Sequence, residues 1–217
     1  PEVLGRLRTA HPGWELQLRE CEPARAFDLL AAGDTDIVVV VATSSLPPVT
    51  DPAFDQRTLF DEPLDLLVGP DHPLVGRADV ALADTAAERW ICSNPGRAYH
   101  QLVTMACAGA GFTPDIAHHA DEWDTGAALV SRGFGVALVP RLADVPARHE
   151  TRRIRIGTPP VPIRPCLANP VSVVWAVASN TITSSSPAYF MASPSSVSIR
   201  RLGEGPRKEN LPFGSPM

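Results

Sequence analysis

The 217-residue sequence lacks the short motifs that mark most catalytic scaffolds. It has no GxSxG, no HExxH and no GxxxxGK(S/T), so no nucleophile elbow, zincin helix or phosphate loop is legible. Its four cysteines, Cys21, Cys92, Cys107 and Cys166, include no CxxC pair. That removes the local ligand spacing of a zinc site. No secretory signal stands before them, so they are expected to be reduced thiols of a cytoplasmic chain. The longest nearly apolar run, Ile37 to Ala42, is far too short to span a bilayer. Basic excess is missing too: 19 Lys and Arg against 24 Asp and Glu leave a net charge of −5. An acidic balance argues against a broad face that grips nucleic-acid phosphates.

The histidines do not supply the missing chemistry. His118 and His119 are adjacent, so on a strand they point to opposite faces and cannot share an ion. His100 and Cys107 lie about two turns apart on one predicted helix, too far for joint ligation. Neither a metal nor a cofactor is expected. Gly109-Ala110-Gly111 closes a helix where a phosphate cradle would need to open one. Gly133-Phe134-Gly135 joins a helix to a strand, the reverse of a dinucleotide fingerprint.

What is present is the pattern of an α/β protein. Hydrophobic residues make up 44% and charged residues 20%, enough for a sizeable core. Val3, Leu4 and Leu7 recur at helical spacing over Pro1 to Ala10, and His11-Pro12-Gly13 stops that helix. Trp14, Leu16 and Leu18 alternate with polar neighbours, as in a half-buried strand. Pro23 suits the first turn of a second helix carrying Phe27, Leu30 and Ala31, which ends at Gly33. Ile37 to Val41 is entirely β-branched and reads as a strand buried on both faces. Thr43 to Asp55 reads as a loop. Leu64 to Val68, Trp90 to Ser93, Val136 to Val139 and Val171 to Ala178 are further predicted strands. Helices are predicted over Tyr99 to Ala110 and Asp124 to Arg132. Helix–strand units in two separated blocks predict two small doubly wound lobes.

Two loops stand where ligands bind in such folds. Ser93-Asn94-Pro95-Gly96 follows a strand and precedes a helix, at the strand's C-terminal end. Asp121-Glu122-Trp123-Asp124-Thr125 precedes the next helix, with Asp124 or Thr125 expected as its cap. Free N–H groups in a first helical turn attract anions, although an ordinary cap explains the same residues equally well.

Several groups of residues, in order along the chain, carry a family resemblance. The first is P-x-x-L-x-x-L-x-x-x-H-P-x-W-x-L-x-L over Pro1 to Leu18. Leu30-x-x-Gly33-x-x-Asp36 follows, then Leu59-x-x-Glu62-Pro63-Leu64 and Asp71-His72-Pro73-Leu74. Cys107-x-x-x-Gly111-Phe112-x-Pro114 comes next. The last runs from Ala128-Leu129-Val130 through Gly133-x-Gly135 to Val136-Ala137-Leu138-Val139-Pro140. Together they resemble the effector-binding domain of LysR-type transcriptional regulators. The resemblance runs to about Gly157 and more weakly to about Ala192.

The resemblance implies a type II periplasmic-binding-protein-like α/β fold of two Rossmann-like lobes, joined by two crossing strands. Residues 1–64 with 158–193 would form lobe I and residues 65–157 lobe II. Residues 194–217 match nothing in the family and are expected to be a disordered tail. Pro1 falls where the family's first sensing-domain helix begins, so the fold is expected to be incomplete at its N-terminus. The implied function is small-molecule sensing without turnover, coupled to transcription through an N-terminal helix-turn-helix outside this sequence. The implied partners are an effector, with an organic anion as one expected class, and further copies of the chain; no membrane is involved. Carried over residue by residue, the effector contacts are Ser93, Asn94, Pro95 and Gly96; Trp123, Asp124 and Thr125; and Glu22, Pro23 and Ala24. Asp124 would oppose an anion unless a cation stood beside it; Arg97 is a candidate, and the effector's charge stays open. A solute-binding protein of the same fold is the alternative.

Overall fold

The computed structural model describes residues 2–41, 43, 46–157, 162–163, 165–170 and 196–202. The predicted strand over Val171 to Ala178 lies outside them.

The first lobe is built on a short core. Helix α1 (Glu2–Ala10) buries Leu7 and stops at the expected turn, where His11 stacks on Trp14 with ring centroids 4.2 Å apart. Strand β1 (Glu15–Cys21) leads into α2 (Pro23–Ala31), whose first helical residue is Pro23. Proline is tolerated there because that N–H has no helical partner. Helix α2 turns Ala26, Phe27 and Leu30 onto β2 (Ile37–Val41), where Val38 and Val40 join the same cluster. Strand β3 (Phe54–Thr58) begins at Phe54, which meets Phe27 edge-on at 5.1 Å. The predicted loop therefore ends sooner than expected.

Three later strands cross or complete this region: β9 (Pro162–Ile163), β10 (Pro165–Pro170) and β11 (Ser196–Leu202). The first sheet runs β1-β11-β2-β10-β3. Strand β11 is antiparallel to both β1 and β2. Strands β1 and β2 are therefore parallel, but one strand-width apart. The disordered tail expected from residue 194 does not hold at Ser196–Leu202. That segment pairs along all seven residues of β1, because the gap in the β1-α2-β2 unit leaves two backbone edges to satisfy.

Strand β4 (Glu62–Val68) carries the chain into the second lobe. It pairs with β9 at its start, then lies between β7 (Ala137–Pro140) and β8 (Arg152–Arg155). Strands β5 (Arg89–Cys92) and β6 (Asp115–His119) are parallel. A bridge from Trp90 to Val136 ties β5 to the start of β7.

Alternation along these strands sorts the second core onto two faces. Leu64, Leu66, Val68, Trp90, Cys92 and Leu138 face Val103 and Cys107 of α3 (Ala98–Gly109). Leu67, Ile91, Ala137 and Val139 face Ala127 and Val130 of α4 (Trp123–Ser131). A helix on each face is the doubly wound arrangement the element order predicts.

Two buried carboxylates pin the root of β4. Glu62, 2% exposed, accepts the Leu142 N–H at 2.5 Å, and burial pushes its carboxyl above the ordinary range. Asp65, 3% exposed, takes both Nε and Nη2 of Arg141, at 3.1 and 2.8 Å. His72 behaves as the turn residue the sequence suggests: its Nδ1 accepts the Leu74 N–H at 3.2 Å.

Candidate functional site at the lobe seam

Residues 93–97 form a tight turn at the end of β5. Arg97 N–H donates to the Asn94 carbonyl at 3.2 Å, with Pro95 second and Gly96 third at φ +89°. Proline followed by a left-handed residue is a type II turn, which favours glycine in the third place. The turn delivers Arg97 to the N-cap of α3 and leaves Asn94, Pro95 and Gly96 exposed. Ser93 stays behind, 4% exposed, with its carbonyl 3.2 Å from His119 Nδ1.

Asp121 fastens this turn to the loop before α4. It accepts the Asn94 backbone N–H and the Asn94 side-chain amide, each at 2.9 Å, and Arg97 Nη2 at 3.2 Å. The Asn94 N–H is the foremost reason its carboxyl lies below the ordinary range; the amide and Arg97 add to it.

Between the two loops lies a recess of about 20 Å³, lined by Cys92, Ser93, Tyr99, Asp121, Trp123 and Leu138 among others. That is the space of one water molecule. Tyr99 donates its hydroxyl to the Leu138 carbonyl at 2.9 Å and meets Trp123 edge-on at 4.9 Å. Desolvation holds the Tyr99 phenol well above its ordinary range. Ser93 Oγ and Trp123 Nε1 are both buried without a hydrogen-bond partner. Orphaned buried donors are costly and uncommon, so this pair marks a place where a polar atom fits.

The first lobe reaches the same seam through Glu22. Its Oε1 accepts Arg97 Nη1 at 2.6 Å, and its Oε2 lies 3.4 Å from the Ala98 N–H. Pro23 is buried as the first residue of α2, and Ala24 is exposed on the same turn.

Two expectations are corrected. Neither Asp124 nor Thr125 caps α4: Glu122 occupies the N-cap, with no side-chain capping bond. Arg97 is not the partner of Asp124. Asp124 bonds Arg148 and, at 2.8 Å, His149, which together hold its carboxyl below the ordinary range, His149 foremost. Arg97 is already engaged by Glu22 and Asp121. Thr125 is exposed on the first turn. Of the ten expected contacts, Ser93 and Trp123 line the recess, Asn94 is held by Asp121, and Glu22 reaches Arg97 from the first lobe.

Sequence reasoning assigned no contact to Asp121, Tyr99 or Ala98. Asp121 was legible as part of the acidic run before α4. Tyr99 and the Ala98 N–H had no local signal, since only the fold turns that end of α3 towards β7 and Glu22. Among the described residues no group of His, Cys, Asp and Glu could hold a metal ion, and no helix is long and apolar enough to cross a membrane.

Two α/β lobes carried on the β4–β9 strand pair, with their turn-to-helix openings meeting at the seam, define the type II periplasmic-binding-protein-like class. Residues 1–175 match the LysR substrate binding domain, and the chain belongs to that family. A relative from Bacillus subtilis, the uncharacterized HTH-type transcriptional regulator YybE, is 26% identical over 159 residues, covering 73% of this chain and 52% of that protein. The chain spans about half the length of the curated relatives it matches. Among solved structures, the C-terminal domain of a probable LysR family regulator from Rhodococcus sp. RHA1 superposes with a TM-score of 0.69 at 24% identity, covering 84% of this chain and 89% of that one. The BenM effector binding domain with its effector benzoate gives 0.72 at 21% identity, covering 84% and 81%.

Proposed function

We propose that this chain is the small-molecule effector-binding domain of a LysR-type transcriptional regulator. The effector sits at the seam between the lobes, against Ser93 to Gly96, Trp123 to Thr125 and Glu22 to Ala24. It is bound without turnover. Its binding alters how the lobes meet, and a DNA-binding region elsewhere in a homo-oligomeric, cytoplasmic regulator reads that change. One observation carries this reading: Ser93 Oγ and Trp123 Nε1 lie unpartnered in a recess lined by Asp121, and Asp121 shares Arg97 with Glu22 of the other lobe. A structural neighbour, BenM, holds benzoate in a domain of the same fold.

The test is a thermal-shift screen of small organic acids, amides and amines. A compound that binds only the folded state raises Tm by mass action. The shift is expected to shrink in Ser93→Ala and Thr125→Ala. Full shifts in both variants would place the ligand elsewhere.

A further inference from the structure

The seam already contains an anion. The Glu22 carboxylate spans the Arg97 guanidinium, at 2.6 Å, and the Ala98 N–H, at 3.4 Å. Side-chain cation plus helix-start N–H is the donor set that binds carboxylates generally. Glu22 gains nothing locally from that position. It is the N-cap of α2 but makes no side-chain capping bond there. Its side chain serves the other lobe instead of its own helix.

The surroundings define what this contact does. Asp121, which shares Arg97 with Glu22, also lines the recess holding the two orphaned donors, Ser93 Oγ and Trp123 Nε1. The nearby Arg148 and His149 are committed to Asp124. Arg97 therefore faces two carboxylates, one from each lobe. The recess encloses about 20 Å³, against the ~300 Å³ or more of a usual ligand pocket. The Glu22–Arg97 pair is a side-chain link between the lobes and opposes their parting.

We infer that Glu22 is a built-in competitor for the seam: a small organic carboxylate binds by taking its place on Arg97 and Ala98 N–H, and in doing so releases the lobe-to-lobe ion pair. This deepens the proposed function and rests on it for the location of the effector. It makes the charge of Glu22 the element that sets both anion affinity and the closed arrangement.

The experiment uses the whole chain and two carboxylate probes, formate and benzoate. Formate has the size of the carboxylate group that Glu22→Ala removes. Amide NMR follows the Ala98 N–H, and calorimetry follows benzoate. In Glu22→Ala, formate should shift the Ala98 amide saturably, and benzoate should bind at least tenfold tighter than to the original chain. In Glu22→Ala with Arg97→Gln, both gains should vanish. A dispersed amide spectrum in each variant establishes folding. An Ala98 amide that ignores formate in folded Glu22→Ala, or unchanged benzoate affinity there, would overturn the inference. Failure of the effector reading itself shows separately, as compounds whose Tm shifts ignore Ser93→Ala.

Discussion

Asp121 holds Asn94 by two bonds, from the backbone N–H and from the side-chain amide, each 2.9 Å long. Residues 27 apart in sequence thereby lock the turn after β5 to the loop before α4. Hydrogen bonds to a charged acceptor contribute about 1.5–3 kcal/mol when shielded, and Asp121 is partly exposed. Asp121→Ala is therefore expected to cost about 1–2 kcal/mol in urea unfolding. An unchanged midpoint would mean the two loops are held by packing alone.

The same carboxylate predicts a pH effect. Its folded value lies below the ordinary 3.8, so the unfolded chain binds the proton first as pH falls. The stabilisation is complete above 3.8 and is lost as pH drops through the lowered folded value. The stability gap between the original chain and Asp121→Ala should be constant from pH 7 to about 5 and close below about pH 3.8. A gap that persisted at low pH would assign the effect to something other than the charge.

Gly135 sits where no side chain fits. A Cβ there would lie 2.5 Å from the Arg89 carbonyl oxygen, and the backbone has φ +154°. The close approach exists because residue 136 bonds Arg89 and Ile91 across the β5–β7 bridge. Gly135→Ala should destabilise by about 2–4 kcal/mol, the sum of strain and a displaced bridge. Thermal unfolding checks it; a change under about 0.5 kcal/mol would show that the bridge gives way easily.

The thiols should separate by burial. Desolvation pushes Cys92 up to about 11 and Cys107 up to about 12, while Cys21 is only half-buried. At pH 8 Cys92 is therefore almost wholly the unreactive thiol. Ellman's reagent should label Cys21 first and leave Cys92, Cys107 and Cys166 slow until urea unfolds the chain. Equal rates at all four would contradict the buried placement.

The second lobe was largely legible because its strands and helices carry strong periodicity. The apolar strands β4, β5 and β7 are bounded by turn residues, and left-handed Gly111 and Gly133 follow α3 and α4. The edge strands were less so. Strand β8 reads Arg152-Arg153-Ile154-Arg155 and buries only Ile154, so alternation is nearly absent. Strand β10 is bounded by Pro165 and Pro170, which read as loop. Strand β11 did offer a signal, the alternation Ser196-Val197-Ser198-Ile199, but it stood outside the family pattern. Its role depends on a gap between β1 and β2 that no local pattern reveals. Removing residues 196–217 should lower Tm and promote association, since it exposes the facing edges of β1 and β2. An unaffected Tm and a monodisperse chain would show that β11 contributes little.

The loops of the candidate site were visible in the sequence, but their wiring was not. Asp124 and Arg97 look like natural partners at the mouths of neighbouring helices. Only the fold brings Arg148 and His149 to one and Glu22 to the other. Charge pairing over such sequence distances is set by topology, not by local pattern.

One ligand touching both lobes leaves a signature in amide NMR of the chain with the compound that most raises its Tm. Saturable shifts are expected at residues 22–24 of the first lobe together with 93–98 and 121–126 of the second. Shifts confined to one lobe, or gathered on outer surfaces such as β8, would contradict it.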